Sequence, residues 1–515
     1  MITVRAAFIM AHLCTCSVYL CLRKKPVNDK NRQFRLVVNK TATLPRVNGL
    51  YLITDQGENL LQRVHLAIRG GVSVLQYRPK DKTYDACLAE GKELKSICDR
   101  YGVVFIVNDN VELARKLGAD GVHLGQDDGA ISAAKELLEQ GKIVGKSTHN
   151  IEEAILAEQE GADYIGFGAM YPTDSKIVSH FPGTSGLAHI RKQIKIPLVA
   201  IGGITAGNAC RVIDAGADAL AVMSAVLSNP RPDIASAEIN LLFNRTRPFP
   251  RGAVLTVAGS DSGGGAGIQA DLKTITLLGS YAATVLTALS AQNTRGVSSI
   301  HGLPPSFVLD QLDTVLSDIP INIIKTGMLH TPAIISVLAE SMTERNHLIP
   351  IVMDPVMVAK GGAALLESEG VRVFRQQLLP LAYLLTPNIP EAERLLDRII
   401  RSEAEMELAA RDLHALGAAN VLIKGGHLTG RQSTDILFDG NLCHSFSSER
   451  TFTNNTHGTG CSYASAIAAY LAQGEPLLQA VEKAKKYITN AIRLARPIGK
   501  GHSPVNHYLA AEEQT

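Results

Sequence analysis

Eight short apolar or β-branched runs recur along residues 49–230, each followed by a stretch with helical spacing, and this beat restricts the fold more than any other feature. The runs are LYLIT (50–54), SVLQY (73–77), VVFIV (103–107), GVHL (121–124), IVGKS (143–147), YIGFG (164–168), PLVAI (197–201) and ALAVM (219–223). Segments such as NLLQRVHLAIRGG, ACLAEGKELKSICDRYG and IEEAILAEQEGA separate them. Eight βα units in roughly 180 residues predict a closed (β/α)8 TIM barrel over 47–230, with its active site at the C-terminal ends of the strands.

The chain has 515 residues, more than one hydrophobic core organises, so a second domain is expected. NPRPDIASAEINLLFNRTRPFPRG (229–252), with prolines near both ends, reads as a short helix followed by an interdomain linker, placed at 231–252. A second alternation then begins with AVLTVA (253–258), NIIKTGM (322–328), PIVMDPVM (350–357), YLLTP (383–387) and NVLIKGG (420–426). It predicts an open, doubly wound α/β domain over 253–510, with ligands at the strand C-termini. An apolar fraction of 46% with 44 glycines suits such α/β folds.

A net charge of +2, with no long Lys/Arg block, implies no nucleic-acid partner. The eight cysteines (Cys14, Cys16, Cys21, Cys87, Cys98, Cys210, Cys443, Cys461) show no C-x-x-C spacing, so neither a zinc site nor a disulfide framework is expected, and a reducing, cytoplasmic setting fits. AAFIMAHLCTCSVYLCLRKK (6–25) is the one targeting-like stretch; its apolar run is at the short end of membrane-spanning length and its basic cluster follows it. For residues 1–46 a leader, an anchor and a start codon set too far upstream stay open, the last being preferred. Small-molecule substrates are the expected partners, without a membrane; assembly into a homo-oligomer stays open.

NTHGTGCSYASA (455–466) places Gly458 and Gly460 in a turn that opens a helix, with Cys461 at the helix N-terminus. Unpaired N–H groups and the positive end of the helix dipole suit an anion there. Taken alone, the segment favours a plainer reading, a glycine-rich helix start with Cys461 as a small buried apolar residue.

Polar residues gather where each barrel strand ends. Gln76, Arg78 and Lys80 follow the second, Asn108 and Asp109 the third, and Gln126, Asp127 and Asp128 the fourth. Ser147 and His149 follow the fifth, Thr173 and Lys176 the sixth, Gly202 and Gly203 the seventh and Ser224 the eighth. Cationic side chains suit phosphate, paired aspartates suit a Mg²⁺ that keeps most of its waters, and the glycines let backbone amides approach a second phosphate.

The ordered series YLITD, LQYRPKD, FIVNDNVELA, GADGVHLGQDD, YPTDSK, IGGI and VMSAV resembles the signature set of thiamine phosphate synthase, over about residues 47–230. That resemblance implies that Arg78, Lys80, Asn108 and Lys176 hold the diphosphate of 4-amino-5-hydroxymethylpyrimidine diphosphate. It puts Asp109 and Asp128 on Mg²⁺, Gln76 and Ser147 beside them, and Thr173, Gly203 and Ser224 on the thiazole phosphate.

From 253 to 508, the pieces TVAGSDSGGGAGIQADLKT, QNTRGV, KTGML, MDPVM, TPNIPEA, IKGGH, THGTGC and GKGHSPVNH resemble hydroxymethylpyrimidine/phosphomethylpyrimidine kinase, a ribokinase-like fold using ATP. The resemblance implies a pyrimidine pocket lined by Asp271, Gln292, Met328 and Val356, although Met328 and Val356 read equally as core residues without it. It implies Lys424 on phosphate, Asn388 and Glu391 around Mg²⁺ and its waters, and Gly458 and Gly460 in an anion hole. Cys461, Lys424 and Asp354 are the expected catalytic set here, and Lys176 that of the barrel. A helix N-terminus is expected to lower the thiol pKa, so that Cys461 takes the substrate proton or binds the transferring phosphoryl group. Ser262, Gly263 and Thr326 depart from the family pattern, which expects proline, then serine or threonine, and isoleucine.

The two resemblances imply consecutive reactions: ATP-dependent phosphorylation of hydroxymethylpyrimidine to its diphosphate, then condensation with thiazole phosphate. A pyridoxal or pyridoxine kinase in the second half, or one non-catalytic vitamin-sensing domain, are the alternatives.

Overall fold

A computed structural model of the chain describes residues 47–173, 181–357 and 366–513. The stretch 6–25 and Lys176 therefore lie outside the described residues. Eight strands close in sequence order into a parallel barrel: β1 (Gly49–Ile53), β2 (Val72–Tyr77), β3 (Val104–Asn108), β4 (Gly121–Leu124), β5 (Ile143–Thr148), β6 (Tyr164–Gly168), β7 (Leu198–Ile201) and β8 (Ala219–Val222), with β8 pairing back to β1. Successive side chains point to opposite faces. Leu52, Leu75, Phe105 and Ile165 meet the surrounding helices, while Tyr51, Val74, Ile106 and Tyr164 fill the interior. Both faces are covered, which is why the runs are largely apolar rather than alternating.

A polar chain crosses this interior. Gln76 Nε2 donates to Tyr51 OH at 3.0 Å, Tyr51 and Tyr164 hydroxyls meet at 2.9 Å, and His123 bridges Tyr164 OH (3.0 Å) to Ser147 Oγ (2.9 Å). The Tyr164 ring sets the residue opposite it: a Cβ at Gly145 would lie 2.1 Å from that ring, so IVGKS needs its glycine.

The helix Pro232–Leu242 runs through the segment expected to be mostly linker. It packs on the barrel helix Leu60–Arg69, yet Ile234 and Leu241 belong to the apolar cluster of the following domain, and Tyr383 OH donates to Glu238 at 3.0 Å.

The second domain is a nine-stranded sheet. In chain order the strands are β9 (Ala253–Asp261), β10 (Tyr281–Asn293), β11 (Gly296–Gly302), β12 (Ile323–Thr326), β13 (Ile351–Met353), β14 (Leu384–Leu385), β15 (Asn420–Ile423), β16 (Gln432–Phe438) and β17 (Cys443–Glu449). Their spatial order is β11-β10-β9-β12-β13-β14-β15-β16-β17, parallel from β10 to β15 and antiparallel at both edges. Helices Gly267–Leu277, Thr459–Ala472 and Leu477–Arg493 cover one face, and Pro305–Leu316, Pro332–Glu344 and Glu403–Ala415 the other. Four of these strands (β10, β11, β16, β17) have no counterpart among the runs read from the sequence. They are long or half exposed, and their Ala, Ser and Thr content hides the apolar signal. Among the described residues no helix is long and apolar enough to cross a membrane.

Candidate active sites

The second domain holds a cavity of about 810 Å³ at the C-terminal ends of its parallel strands. Asp354 follows β13, Asn388 follows β14, Lys424 follows β15, and the N-terminus of the helix Thr459–Ala472 lines the same cavity. Gln292, Met328, Val356, Glu391, Gly458, Gly460 and Cys461 complete the wall expected from the sequence. Asn388 caps the helix Ile389–Leu396 reciprocally: its Oδ1 accepts from Glu391 N–H at 2.9 Å, and Glu391 Oε2 accepts from Asn388 N–H at 2.8 Å.

Lys424 Nζ donates to Asp354 Oδ1 at 2.7 Å, and both side chains are almost fully enclosed. Burial alone would weaken the ammonium's hold on its proton, but Asp354 and Glu391 more than offset it and the pKa rises. The Glu391 carboxyl is pushed up to about 7, chiefly by burial; Asp354 adds to the shift and Lys424 opposes it. Two carboxyls thus face one ammonium, a charge balance that suits a divalent cation arriving with phosphates.

Gly458 stands at a positive φ of 75°, and a Cβ there would lie 1.8 Å from the Gly265 carbonyl, so the helix start is pressed onto the glycine-rich turn. Asp261 organises that turn, accepting from the N–H groups of Gly263 (2.8 Å), Gly265 (3.1 Å) and Ala266 (2.8 Å) and meeting His457 Nε2 at 2.9 Å. These amides are committed to a carboxylate of the chain itself, so the turn is a wall of the pocket rather than a phosphate cradle.

Two expectations need correction. Asp271 is absent from the cavity wall: it is fully buried beneath it, with both carboxylate oxygens 3.0 Å from Lys325 Nζ and further bonds from Ser465 (2.7 Å) and Thr256 (2.5 Å). Its helix, Gly267–Leu277, turns that side chain toward β12 and the helix Thr459–Ala472. The Cys461 thiol is also not an acidified one. Burial pushes it up to about 11, with Lys325 pulling the other way, so it stays protonated at neutral pH.

Asp261, His457 and Lys325 are among the polar residues of this region given no role from sequence. Each had a signal: an acid inside a glycine-rich turn, a histidine beside the helix start, and a lysine within the apolar run NIIKTGM.

At the barrel mouth, Asp109 and Asp128 meet. The Asp109 carboxyl is raised to about 6 by burial first and then by the hydrogen bond and charge of Asp128, while the Arg78 guanidinium and the Asn108 amide pull it down. Two carboxyls at one point either share a proton or hold a cation, and this pair fits Mg²⁺. Asp109 adopts a left-handed φ of 62°, with its N–H on the His123 carbonyl at 2.8 Å, and Asn108 donates to its Oδ2. Arg78 is fixed through its backbone, its N–H on Thr54 Oγ1 (2.9 Å) and its carbonyl accepting from Gln56 Nε2 (2.9 Å). Lys80 projects into solvent, and Thr173 ends the described part of the β6 loop. Gly203, at a φ of 62°, lies so close to the Pro172 carbonyl that a Cβ would come within 2.4 Å, which locks the β7 loop to that of β6. Ser224 begins the short helix after β8.

Gln76 and Ser147 are the two ends of the interior polar chain rather than isolated loop residues. His123, the hinge of that chain, was not singled out from sequence; burial lowers its pKa to about 4, so it is neutral and bonded through both nitrogens.

Residues 50–226 match the family model described as thiamine monophosphate synthase, and residues 261–506 match phosphomethylpyrimidine kinase. The thiamine biosynthesis bifunctional protein ThiED of Geobacter sulfurreducens is 60% identical over 93% of this chain and 98% of its own length. The multifunctional ThiED of Corynebacterium efficiens is 34% identical over 89% of this chain, which spans 64% of that longer protein. The hydroxymethylpyrimidine/phosphomethylpyrimidine kinase of Rhizobium meliloti is 46% identical over 49% of this chain and 96% of its own.

Proposed function

Because the chain belongs to the ThiED family of bifunctional thiamine-biosynthesis proteins, joining a thiamine phosphate synthase to a hydroxymethylpyrimidine and phosphomethylpyrimidine kinase, we propose a residue-level division of labour between its two sites. The observation that supports it most is the meeting of Asp109 and Asp128 beside Arg78 at the mouth of a parallel barrel, separate from the Lys424–Asp354 pair in the other domain.

In the second domain the pyrimidine lies against Gln292, Met328 and Val356, with its hydroxymethyl group toward the helix start at Gly458–Cys461. ATP supplies the phosphoryl group; Lys424, held by Asp354, neutralises its charge, and the Gly458–Gly460 amides receive its oxygens. Asn388 and Glu391 fit Mg²⁺ and its waters. Phosphoryl transfer proceeds through a loose transition state, so charge stabilisation matters more than a strong base. The neutral Cys461 thiol serves as a hydrogen-bond donor to the group in flight. On this reading Cys461→Ser keeps turnover within about tenfold, whereas Cys461→Ala loses ~10²-fold, as for the loss of one donor to a transition state. Steady-state kinase rates of the two variants check this; equal losses would restore the thiol to the role of base.

In the barrel, Arg78, Lys80, Asn108 and Lys176 hold the diphosphate, and Thr173, Gly203 and Ser224 the thiazole phosphate. Asp109 and Asp128 would hold a Mg²⁺, which when bound would supply charge neutralisation to the leaving diphosphate. The C–O bond breaks as the aminopyrimidine spreads positive charge from its methylene, and the thiazole nitrogen closes the new C–N bond without a protein nucleophile. Proton competition for the carboxyl pair sets a pH limit. With the Asp109 pKa near 6, the group is charged above that value and protonated below it, so condensation at subsaturating Mg²⁺ falls as pH drops through about 6. Raising Mg²⁺ moves the inflection to lower pH; a pH–rate profile at two Mg²⁺ concentrations measures it.

The paired activities are tested by one coupled assay. Hydroxymethylpyrimidine, ATP, Mg²⁺ and thiazole phosphate are supplied, and thiamine phosphate is measured.

A further inference from the structure

Lys146, on β5, is a buried cation inside the barrel wall, 7% exposed. All three of its hydrogen bonds among the described residues go to backbone carbonyls: Gly125 at 2.8 Å, Gly129 at 3.2 Å and Gln126 at 3.5 Å. Those carbonyls belong to one short loop between β4 and the helix Ile131–Leu137, and Asp128 sits within it. Three carbonyl dipoles aimed at one point repel each other unless a positive charge stands there. The ammonium therefore gathers the loop into a tight arc.

Little else holds that arc. Within it Asp128 Oδ2 accepts from Gly125 N–H at 2.7 Å, and the Asp128 N–H reaches the Gly125 carbonyl at 3.4 Å. Outside it, the Gln126 amide donates to the Ser147 carbonyl, so the second tether also comes from β5, one residue along. The helix that follows begins at Ala130 without a side-chain cap. Asp109, by contrast, is set by its own strand, β3, and by the β4 carbonyl of His123.

We infer that Lys146 is a positioning residue for the barrel's cation site: by drawing the carbonyls of residues 125, 126 and 129 together, it turns Asp128 toward Asp109. The inference rests on the reading of that aspartate pair as a Mg²⁺ site. It gives a function to a lysine that touches neither substrate nor metal, and explains why an ionisable side chain interrupts the apolar run IVGKS.

Lys146→Met keeps the length and apolar stem but removes every donor, and Lys146→Gln keeps two N–H groups. Two measurements on the full chain test the inference. Hydrogen exchange of the metal-free protein, read by mass spectrometry, is expected to quicken about tenfold at residues 125–130 in Lys146→Met, with the other barrel segments unchanged. Mn²⁺ binding, followed by electron paramagnetic resonance, is expected to weaken ~10- to 100-fold at the site that Asp128→Asn abolishes, with Lys146→Gln between the wild type and Lys146→Met. Unchanged exchange at the loop overturns the inference, as does faster exchange spread evenly over β1–β8, or a loosened loop that binds Mn²⁺ as before. Should Lys146→Met fail to fold, Lys146→Gln carries both measurements. If Asp128→Asn leaves Mn²⁺ binding intact, the cation site itself is misassigned, and the positioning role falls with it whatever the loop does.

Discussion

Asp128→Asn slows thiamine phosphate formation ~10²- to 10³-fold while leaving the kinase rate of the same molecule untouched. The substitution preserves size and one acceptor, and the Gly125 N–H that Asp128 Oδ2 receives still finds an oxygen, so the loop keeps its course. What changes is charge. Asp109 loses the neighbour whose hydrogen bond and charge help hold its pKa near 6, and returns toward the ordinary carboxylate range. On the proposed assignment one carboxylate then remains where two faced the leaving diphosphate, and the charge that must be neutralised as the C–O bond breaks falls to Arg78, Lys80 and Lys176. In a time course containing hydroxymethylpyrimidine, ATP and thiazole phosphate, the pyrimidine diphosphate accumulates. Normal formation of thiamine phosphate would refute the metal assignment; loss of phosphorylation as well would refute the separation of the two sites.

Lys424→Met is expected to lower kinase turnover by ~10³-fold, the larger part of an electrostatic clamp on a transferring phosphoryl group. Its second effect is on stability. Lys424 and Asp354 are paired at 2.7 Å with both side chains largely buried at the cavity wall, and removing one member of a buried ion pair costs about 3–5 kcal/mol because the other is left uncompensated. The double substitution Lys424→Met with Asp354→Asn removes that uncompensated charge, so it regains most of the melting temperature without regaining turnover. Condensation from supplied diphosphate reports that the barrel has stayed folded in each variant. A double substitution that recovers turnover together with stability would show that Lys424 supports the fold and not the reaction.

The barrel was legible because every one of its strands is covered on both sides: runs such as LYLIT or YIGFG are then mostly apolar on both faces, and a run of that kind is visible without a neighbour for comparison. Asp354, Asn388 and Lys424 came into view only through the resemblance to the kinase family; the fold places each of them just beyond the end of a parallel strand. The half-exposed strands β10, β11 and β17 carry no such constraint and went unseen, as did β16, where the polar Thr434 and Asp435 precede a short apolar end. Asp271 misled because a carboxylate in a motif reads the same whether it faces a ligand or a buried lysine. Only the rotation of its helix against β12 decides, and that is set by packing far from the motif. Cys461 misled through a competition of two effects. Its address at a helix start favours the thiolate, but desolvation and the charges of Asp271 and Asp354 weigh more against it, and neither has a one-dimensional signature. The polar chain from Gln76 to Ser147 was hidden because its middle members, Tyr51, Tyr164 and His123, lie on three different strands.

The helix Pro232–Leu242 bears on how such a chain is inherited. It lies against the barrel through its contact with Leu60–Arg69 and lends Ile234 and Leu241 to the kinase core, so neither half owns it. Splitting the gene before residue 232 would strip the barrel of a wall, and splitting it after residue 242 would open an apolar patch on the kinase. Either product would need new polar residues before it lived alone. A shared helix of this kind works as a ratchet on gene fusion: once both halves have come to lean on it, separation is opposed by folding even where each catalytic site remains complete.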